Sequence, residues 1–505
     1  MNNNKIKEYE KKVQNRRLSK FGEYTILSVG WIVSIAIAIA ISFMAKDSDT
    51  GEISSGAMFF SMTYYLAGIL GLLLSLKIKS DVTKNNAVSV FTRRISLILI
   101  PFVFTGNFFI SIAGFSCAKE NRTMEYTMAF YSFVNTVLII LISSLNLFKP
   151  YVANSFLTGI YILVGLSVFY LIMIFLTCKF TLANKNYNKL TIPAVLCVLS
   201  GVCGNLFAVL LGIIIFARLS GIRKNRQPEW IETFRRIFRN YMAIIGMFIV
   251  ILLLSLSICS YFTFDYSIAI DNDYAAILLK PSLMYPFGTD LYGRCQFTRI
   301  VFGARISLVI GFVSAVIPVI FGGFLGAIAG HFGGSIDNII MRILDIIYAV
   351  PGILLAIAIV AAFGVSTVNL IAALSIGAVP AYARTMRAQV MVVTSNEFIE
   401  AARACGRKDF SIIFKHIVPN ALAPMIVRIT LSIGSAVLST SSMSFLGLGV
   451  EPHIPEWGNI LKGGSTYLET HSYLAIYPGL AIILIVLAFN FFGDGLRDAL
   501  DPKLK

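Results

Sequence analysis

The stretch Asn396-Glu397-Phe398-Ile399-Glu400-Ala401-Ala402-Arg403-Ala404-Cys405-Gly406-Arg407-Lys408-Asp409-Phe410-Ser411-Ile412-Ile413-Phe414-Lys415-His416-Ile417-Val418-Pro419-Asn420 lies between two apolar runs. Ser395 or Asn396 can cap a short helix, whose first turns carry Glu397 and Glu400. Gly406 breaks that helix. A second short helix is predicted next, with Phe410, Ile413, Phe414 and Ile417 at spacings of three and four forming one apolar face. Pro419 is expected to end it before the following span. A helix–glycine–helix unit with one apolar face, set outside the bilayer, needs a partner groove or the membrane surface to cover that face.

The rest of the chain explains where such a unit sits. The 505 residues are 57% hydrophobic and 13% charged, with a mean hydropathy of +0.79, whereas soluble domains carry about 25% charged residues. A soluble enzyme, a disordered regulator and a disulfide-stapled secreted domain are excluded. An all-α polytopic membrane protein remains. The net charge of +16 is accounted for by the positive loops that orient membrane proteins. No basic, aromatic-interleaved soluble segment exists for nucleic acid. Cys117, Cys178, Cys197, Cys203, Cys259, Cys295 and Cys405 are scattered, and His331, His416, His453 and His471 are isolated, so no metal site is expected.

A bilayer core about 30 Å thick needs about 20 apolar residues in a helix. Stretches 24–45, 56–76, 95–115, 127–148, 156–178 and 190–216 qualify in the first half. Stretches 241–263, 306–330, 343–364, 367–383, 421–443 and 473–493 qualify in the second, giving about 12 transmembrane helices. The first is read as a retained helix, because its apolar run is too long for a signal peptide and no small-residue cleavage site follows. With the N-terminus inside and strict alternation, inside segments, 149–155 among them, hold 30 of the 42 Lys and Arg, outside loops hold 11, and Arg428 lies within a span. The positive-inside rule is obeyed, but loop 179–189, with Lys179, Lys185 and Lys189, falls on the wrong side. The basic stretch holding Arg218, Arg223, Lys224, Arg226, Arg235, Arg236 and Arg239 marks a cytoplasmic linker, 217–232, between a module at 1–216 and one at 233–505. No repeat relates the two halves.

The loop then becomes specific. Glu400-Ala401-Ala402, with Gly406 four residues on, resembles the "EAA" cytoplasmic loop, here 395–420, of binding-protein-dependent ABC importer permeases. His416-Ile417-Val418-Pro419-Asn420 is similar to the dipeptide/oligopeptide (peptide/nickel) branch, where the broader family often has Ile at the position of His416. Arg235-Arg236 and Arg239-Asn240 before an apolar span resemble the start of that branch's C-type permeases. Pro286-Phe287-Gly288-Thr289-Asp290, Gly293-Arg294 and Gly303-Ala304-Arg305 match its external loop, although Cys295 stands where that motif usually has Asp. Arg342, Asp345 and Pro351, then Ser444-Phe445-Leu446-Gly447-Leu448-Gly449, Pro455-Glu456-Trp457-Gly458, Asp494-Gly495-Leu496-Arg497-Asp498 and Asp501-Pro502 complete the series in order over 233–505. Residues 1–232 match no pattern.

The resemblance implies a six-helix type I permease fold for 233–505. It also implies a second, B-type permease, two ABC ATPase subunits, an extracellular solute-binding protein and a peptide substrate, in the lipid of a prokaryotic plasma membrane with both termini cytoplasmic. Glu400, Ala401, Ala402, Gly406, His416, Pro419 and Asn420 become the ATPase-coupling residues. Pro286, Phe287, Gly288, Thr289, Asp290, Gly293 and Arg294 become the external loop motif. No glycine is followed by lysine anywhere in the chain, so no phosphate loop of that kind is encoded. ATP and Mg are therefore expected on partner subunits, with no cofactor on this chain and no enzymatic activity of its own. Nickel chelates or another small solute are the alternative cargo. A secondary transporter would show two similar halves with paired broken helices, and none are seen.

Simpler roles are available for other polar residues. Arg342 and Asp345, three apart, are expected to pair within one helix. Arg428 can snorkel, Pro351 and Pro380 can kink helices, and Trp457 can anchor at the outer interface. The extra module, nearly free of intramembrane acids, reads as scaffolding around the assembly; a separate sensor or lipid-facing activity is the other reading.

Overall fold

A computed structural model describes residues 22–44, 55–85, 87–119, 123–149, 152–183, 187–224, 229–238 and 240–500. Arg226, Arg239, Asp501 and Pro502 lie outside the described residues. Among those described, every regular element is a helix, apart from a single bridge between Thr289 and Cys295. Eight helices are long and apolar enough to cross a membrane, and a bent pair makes a ninth. The chain divides into two compact units, 1–144 with 160–228, and 145–159 with 229–505.

The first unit contains α1 (Gly22–Met44), α2 (Ser55–Asn85), α3 (Val90–Ile95), α4 (Phe108–Ala118), α5 (Met124–Ser144), α6 (Phe156–Thr177, from Ile160 in this unit), α7 (Thr191–Leu199) and α8 (Leu206–Lys224). Two of the twelve apolar stretches are not straight crossings. Over 95–115 the chain runs through a tight 3₁₀ segment, Ser96–Thr105, reverses at Gly106, and returns as α4. Over 190–216 it reverses at Gly204 between α7 and α8. Both glycines have positive φ, +83° and +77°, the left-handed region where Cβ is penalised. Apolar composition fills a helical hairpin as readily as a straight helix, so the run length alone could not separate them.

The two hairpins are copies of one design. The offset that carries Gly106 to Gly204 also carries Asn107 to Asn205, Gly114 to Gly212 and Ser34 to Ser132. Asn107 donates to the Ser34 hydroxyl on α1 at 2.9 Å, and Asn205 donates to the Ser132 carbonyl on α5 at 3.0 Å. Gly114 lies against the Ser96 carbonyl, and Gly212 against the Ala194 carbonyl, again at that offset. Each hairpin returns to the end where it started. Arg93, before the first, pairs with Glu23 at 2.9 Å and donates to the Cys117 carbonyl at its exit. Arg218, leaving the second, pairs with Glu125 and lies over Tyr187 at its start. The folded-back hairpin and its asparagine anchor therefore recur within the unit at one fixed offset.

The second unit contains α9 (Glu229–Ile237), α10 (Tyr241–Thr263), α11 (Gln296–Phe332), α12 (Gly334–Ala349), α13 (Gly352–Phe363), α14 (Thr367–Thr394), α15 (Glu397–Ala404), α16 (Asp409–Ile412), α17 (Val418–Leu446), α18 (Trp457–Ser465) and α19 (Tyr473–Leu500). Five of the six expected spans are long and apolar enough to cross, namely α10, α11, the pair α12–α13 bent by 84° around Pro351, α17 and α19. The sixth, 367–383, lies in α14, which is long enough but falls short in apolarity. α11 packs on α14 through Gly322, Gly326 and Gly330, one per turn, which lie against Val379, Ala383 and Arg387 backbone. Small residues at that spacing let membrane helices approach closely. The core continues through Ala304, Leu308, Ile433, Val437, Ile485 and Phe489 to Trp457.

Residues 145–159 pack on the end of this unit that carries the loop 264–295. Asn146 donates to the Thr263 carbonyl at 2.8 Å and Ser155 to the Phe262 carbonyl at 3.1 Å. Lys149, 8% exposed, donates to Thr298 and lies over the rings of Phe264 and Phe297, 5.6 and 5.9 Å from their centroids. Burial holds its pKa below the usual lysine value. This corrects the alternating assignment, which set 149–155 on the face opposite 264–305. Two hairpins in place of two crossings remove the error; within the first unit, Cys178 then lies beside Lys119 and Thr181 beside Thr123.

Candidate functional site

The loop at 395–420 is built on buried isoleucines. Ile399, Ile412, Ile413 and Ile417 are fully buried against Tyr382, Met386, Val390, Val393 and Met425. Of the face expected from spacing, Ile413 and Ile417 point inward, while Phe410 and Phe414 remain 58% and 46% exposed. Periodicity locates an apolar stripe but not which half meets the core. α15 begins after Asn396, whose side chain donates back to the Val393 carbonyl at 3.1 Å instead of capping. Gly406, with φ +73°, turns the chain, and the Arg407 amide closes on the Ala402 carbonyl at 3.2 Å. α16 then runs through a wide turn, Ile413–Ile417, directly into α17. Pro419 therefore does not end a helix; it sits in the first turn of α17, where its missing N–H costs nothing.

Glu400, Ala401, Gly406, Pro419 and Asn420 are exposed, and Ala402 and His416 half-buried. Nothing lies within 4 Å of a Cβ placed on Gly406. Asn420 donates to the His416 carbonyl at 2.6 Å, and His331 at the end of α11 meets Asp409 at 3.2 Å. The surface thus combines an exposed acid, a small-residue patch and the stacked rings of Phe410 and Phe414 on a rigid base. Two ion pairs brace the helices around it, Arg387–Asp337 and Arg384–Asp345, the latter at 2.9 Å. The expected Arg342–Asp345 pair is replaced by this contact from α14, a partner that spacing along one helix cannot reveal.

The external motif forms a self-satisfied knot. Asp290 accepts from the Tyr292 and Arg294 amides at 2.9 and 3.0 Å and from the Arg294 guanidinium at 2.8 Å. Thr289, fully buried, bonds the Ala276 carbonyl and the Leu279 amide. Gly288 and Gly293 have positive φ, and Gly293 lies directly on the Asp273 carbonyl. Phe287, after the half-buried Pro286, stacks on Tyr477 at 4.0 Å. Trp457 is not an exposed anchor: it is fully buried against Gly303 and donates to the Ile300 carbonyl at 2.9 Å.

The sequence reading quoted Glu456 within a landmark but gave it no role; it is 0% exposed. Its carboxylate accepts from Ser307 and Ser441 and from the amides of Gly458 and Asn459, tying α11, α17 and α18 together. The signal was an acid directly before a predicted short helix, where a side-chain oxygen caps free amides. Among the described residues, no group of three His, Cys, Asp or Glu side chains is placed to hold a metal ion.

Six membrane helices with an exposed loop of this kind between the fourth and fifth define an ABC importer permease. Residues 322–505 match the family described as binding-protein-dependent transport system inner membrane component, and residues 229–281 match the N-terminal transmembrane domain of oligopeptide transport permease C. The dipeptide transport system permease protein DppC of Alkalihalophilus pseudofirmus is 45% identical over 276 residues, 55% of this chain and 90% of that protein. The glutathione transport system permease proteins GsiD of Pectobacterium atrosepticum and Escherichia coli O157:H7 are 41% and 43% identical, over 58% and 55% of this chain and 97% and 92% of theirs. The chain belongs to this family, as a C-type permease of the peptide importer branch.

Proposed function

We propose that this chain is one of two permeases of an ATP-driven importer for di- or oligopeptides, paired with a B-type permease. Two ABC ATPases dock on the 395–420 loop, supply ATP and Mg, and do the chemistry. An extracellular solute-binding protein delivers peptide to the face bearing 264–295. The observation that carries the reading is the loop's construction: Glu400, Ala401 and Gly406 are held exposed above fully buried isoleucines. A rigid, solvent-facing pair of short helices transmits a push into α14 and α17 without itself deforming. The relatives' names favour peptides over nickel chelates as cargo. The loop faces the cytoplasm with both termini, an orientation that the distribution of basic residues supports, in a prokaryotic plasma membrane. The extra module, 1–216, serves as a scaffold for the assembly.

The test is a mild-detergent pull-down of the tagged chain with mass spectrometry, repeated with Gly406→Trp. Tryptophan is strained at φ +73°, but the space around Gly406 is open and the strain falls on the exposed loop, so docking is lost while the spans stay folded. Recovery of two ATPases and a second permease, with the ATPases lost in the variant, supports the proposal. A folded chain that recovers no ATPase overturns it.

A further inference from the structure

α14, α17 and α19 line a wide-open pocket of about 570 Å³, within the size range of small-molecule sites. Arg428, Ser432 and Ser435 line it at spacings of four and three along α17, with Thr385 from α14 and Asn490 and Arg497 from α19. No acidic residue lines it. Arg428 donates to the Thr385 hydroxyl at 2.7 Å, and its guanidinium carbon lies 5.2 Å from the Tyr382 ring centroid. Tyr382 is in turn bonded to Ser432. Arg384 and Arg387, on the same face of the fold, each have a carboxylate partner. Arg428 and Arg497 have none among the described residues.

An arginine this far along a membrane helix is costly against lipid, so it faces water or an anion. A guanidinium pre-positioned by a threonine and a tyrosine, beside hydroxyls and an amide, is built to receive a planar carboxylate through paired hydrogen bonds. We propose that this cavity holds the carboxylate of the peptide in transit, with Arg428 as its pairing group and Arg497 at the cavity mouth. Ser432 and Asn490 then serve the peptide backbone. The inference rests on the peptide-permease reading and assigns its recognition site.

The test uses the detergent-solubilised importer complex, which bypasses the receptor's own selectivity. Ser435→Cys, in a Cys405→Ser background that removes the exposed thiol, is labelled with a neutral, water-soluble maleimide. A dipeptide is expected to slow labelling at least about tenfold at a concentration where its C-terminal amide does not, as loss of a charge-assisted bond implies. Arg428→Gln abolishes the protection without loss of partner subunits, and Arg428→Lys keeps part of it. Absence of labelling, as when a second permease or lipid covers the cavity, overturns the inference. So does equal protection by the amide, or protection that survives Arg428→Gln. If proteoliposomes show no ATP-dependent peptide uptake yet the dipeptide still protects Ser435→Cys, the importer reading falls and the carboxylate site stands.

Discussion

The ammonium of Lys149 is buried against Thr298, between the rings of Phe264 and Phe297. Lys149 is an insertion from the extra module's own stretch of chain, while Thr298 opens α11 beneath the external loop. Lys149→Ala removes a hydrogen bond and two ring contacts, together about 1–3 kcal/mol. Lys149→Met keeps the stem and discards a charge that burial already disfavours, so it costs less. Thermal unfolding and the rate of proteolysis within 264–295 measure both. Wild-type behaviour of the alanine variant would show that the strap does not brace the loop.

Asn107 and Asn205 hold equivalent hairpin tips against α1 and α5. Each replacement by alanine is expected to cost about 1–2 kcal/mol, the size of a lost helix cap and buried hydrogen bond. The two costs are expected to add, because no partner is shared between the hairpins. Thermal unfolding of the single and double variants is the measurement. A large cost at one asparagine and none at the other would mean that the duplication is geometric only.

Much of this was open to reading from the chain, and the failures have physical causes. Glu400-Ala401-Ala402 and Gly406 were legible because an exposed coupling surface is a local string of residues. Ile413 and Phe414 were not separable, since both sit on the same apolar stripe and only tertiary packing chooses between them. Arg384–Asp345 joins two helices across sequence, so the local Arg342 spacing misled. The repeated Gly-Asn pairs at 106–107 and 204–205 were visible, each followed at the same distance by a phenylalanine and a glycine. Comparison of the two large halves was the wrong scale at which to seek them.

Gly326 and Gly323 give a test within one helix. A Cβ on Gly326 meets the Ala383 carbonyl and Met386, whereas on Gly323 it meets only the tip of Met425 at 3.8 Å. Gly326→Ala forces α11 from α14 and is expected to cost about 1–3 kcal/mol through overpacking. Gly323→Ala is expected to be neutral or slightly stabilising, because alanine favours helix. Detergent-stable yield and melting temperature read the difference. Equal behaviour of the two variants would refute the close crossing of α11 and α14.

Glu456 separates charge from hydrogen bonding. One carboxylate oxygen serves the hydroxyls of Ser307 and Ser441, and the other serves the amides of Gly458 and Asn459. Burial pushes its pKa up, while hydrogen bonds from Ser444, Ser441, Ser307 and the Asn459 amide oppose that. Glutamine can keep its oxygen on the two amides and turn its NH₂ toward the serines, whose hydroxyls rotate to accept. Glu456→Gln is therefore expected to change stability by less than about 1 kcal/mol. Glu456→Ala strands two serine hydroxyls and two helix amides in the interior and is expected to cost about 3–5 kcal/mol. Glu456→Asp, one methylene short, reaches the amides but not both serines and falls between. The order Gln, Asp, Ala in melting temperature checks the assignment; a glutamine variant as unstable as alanine would mean that the negative charge, not the bonding pattern, holds α11, α17 and α18 together.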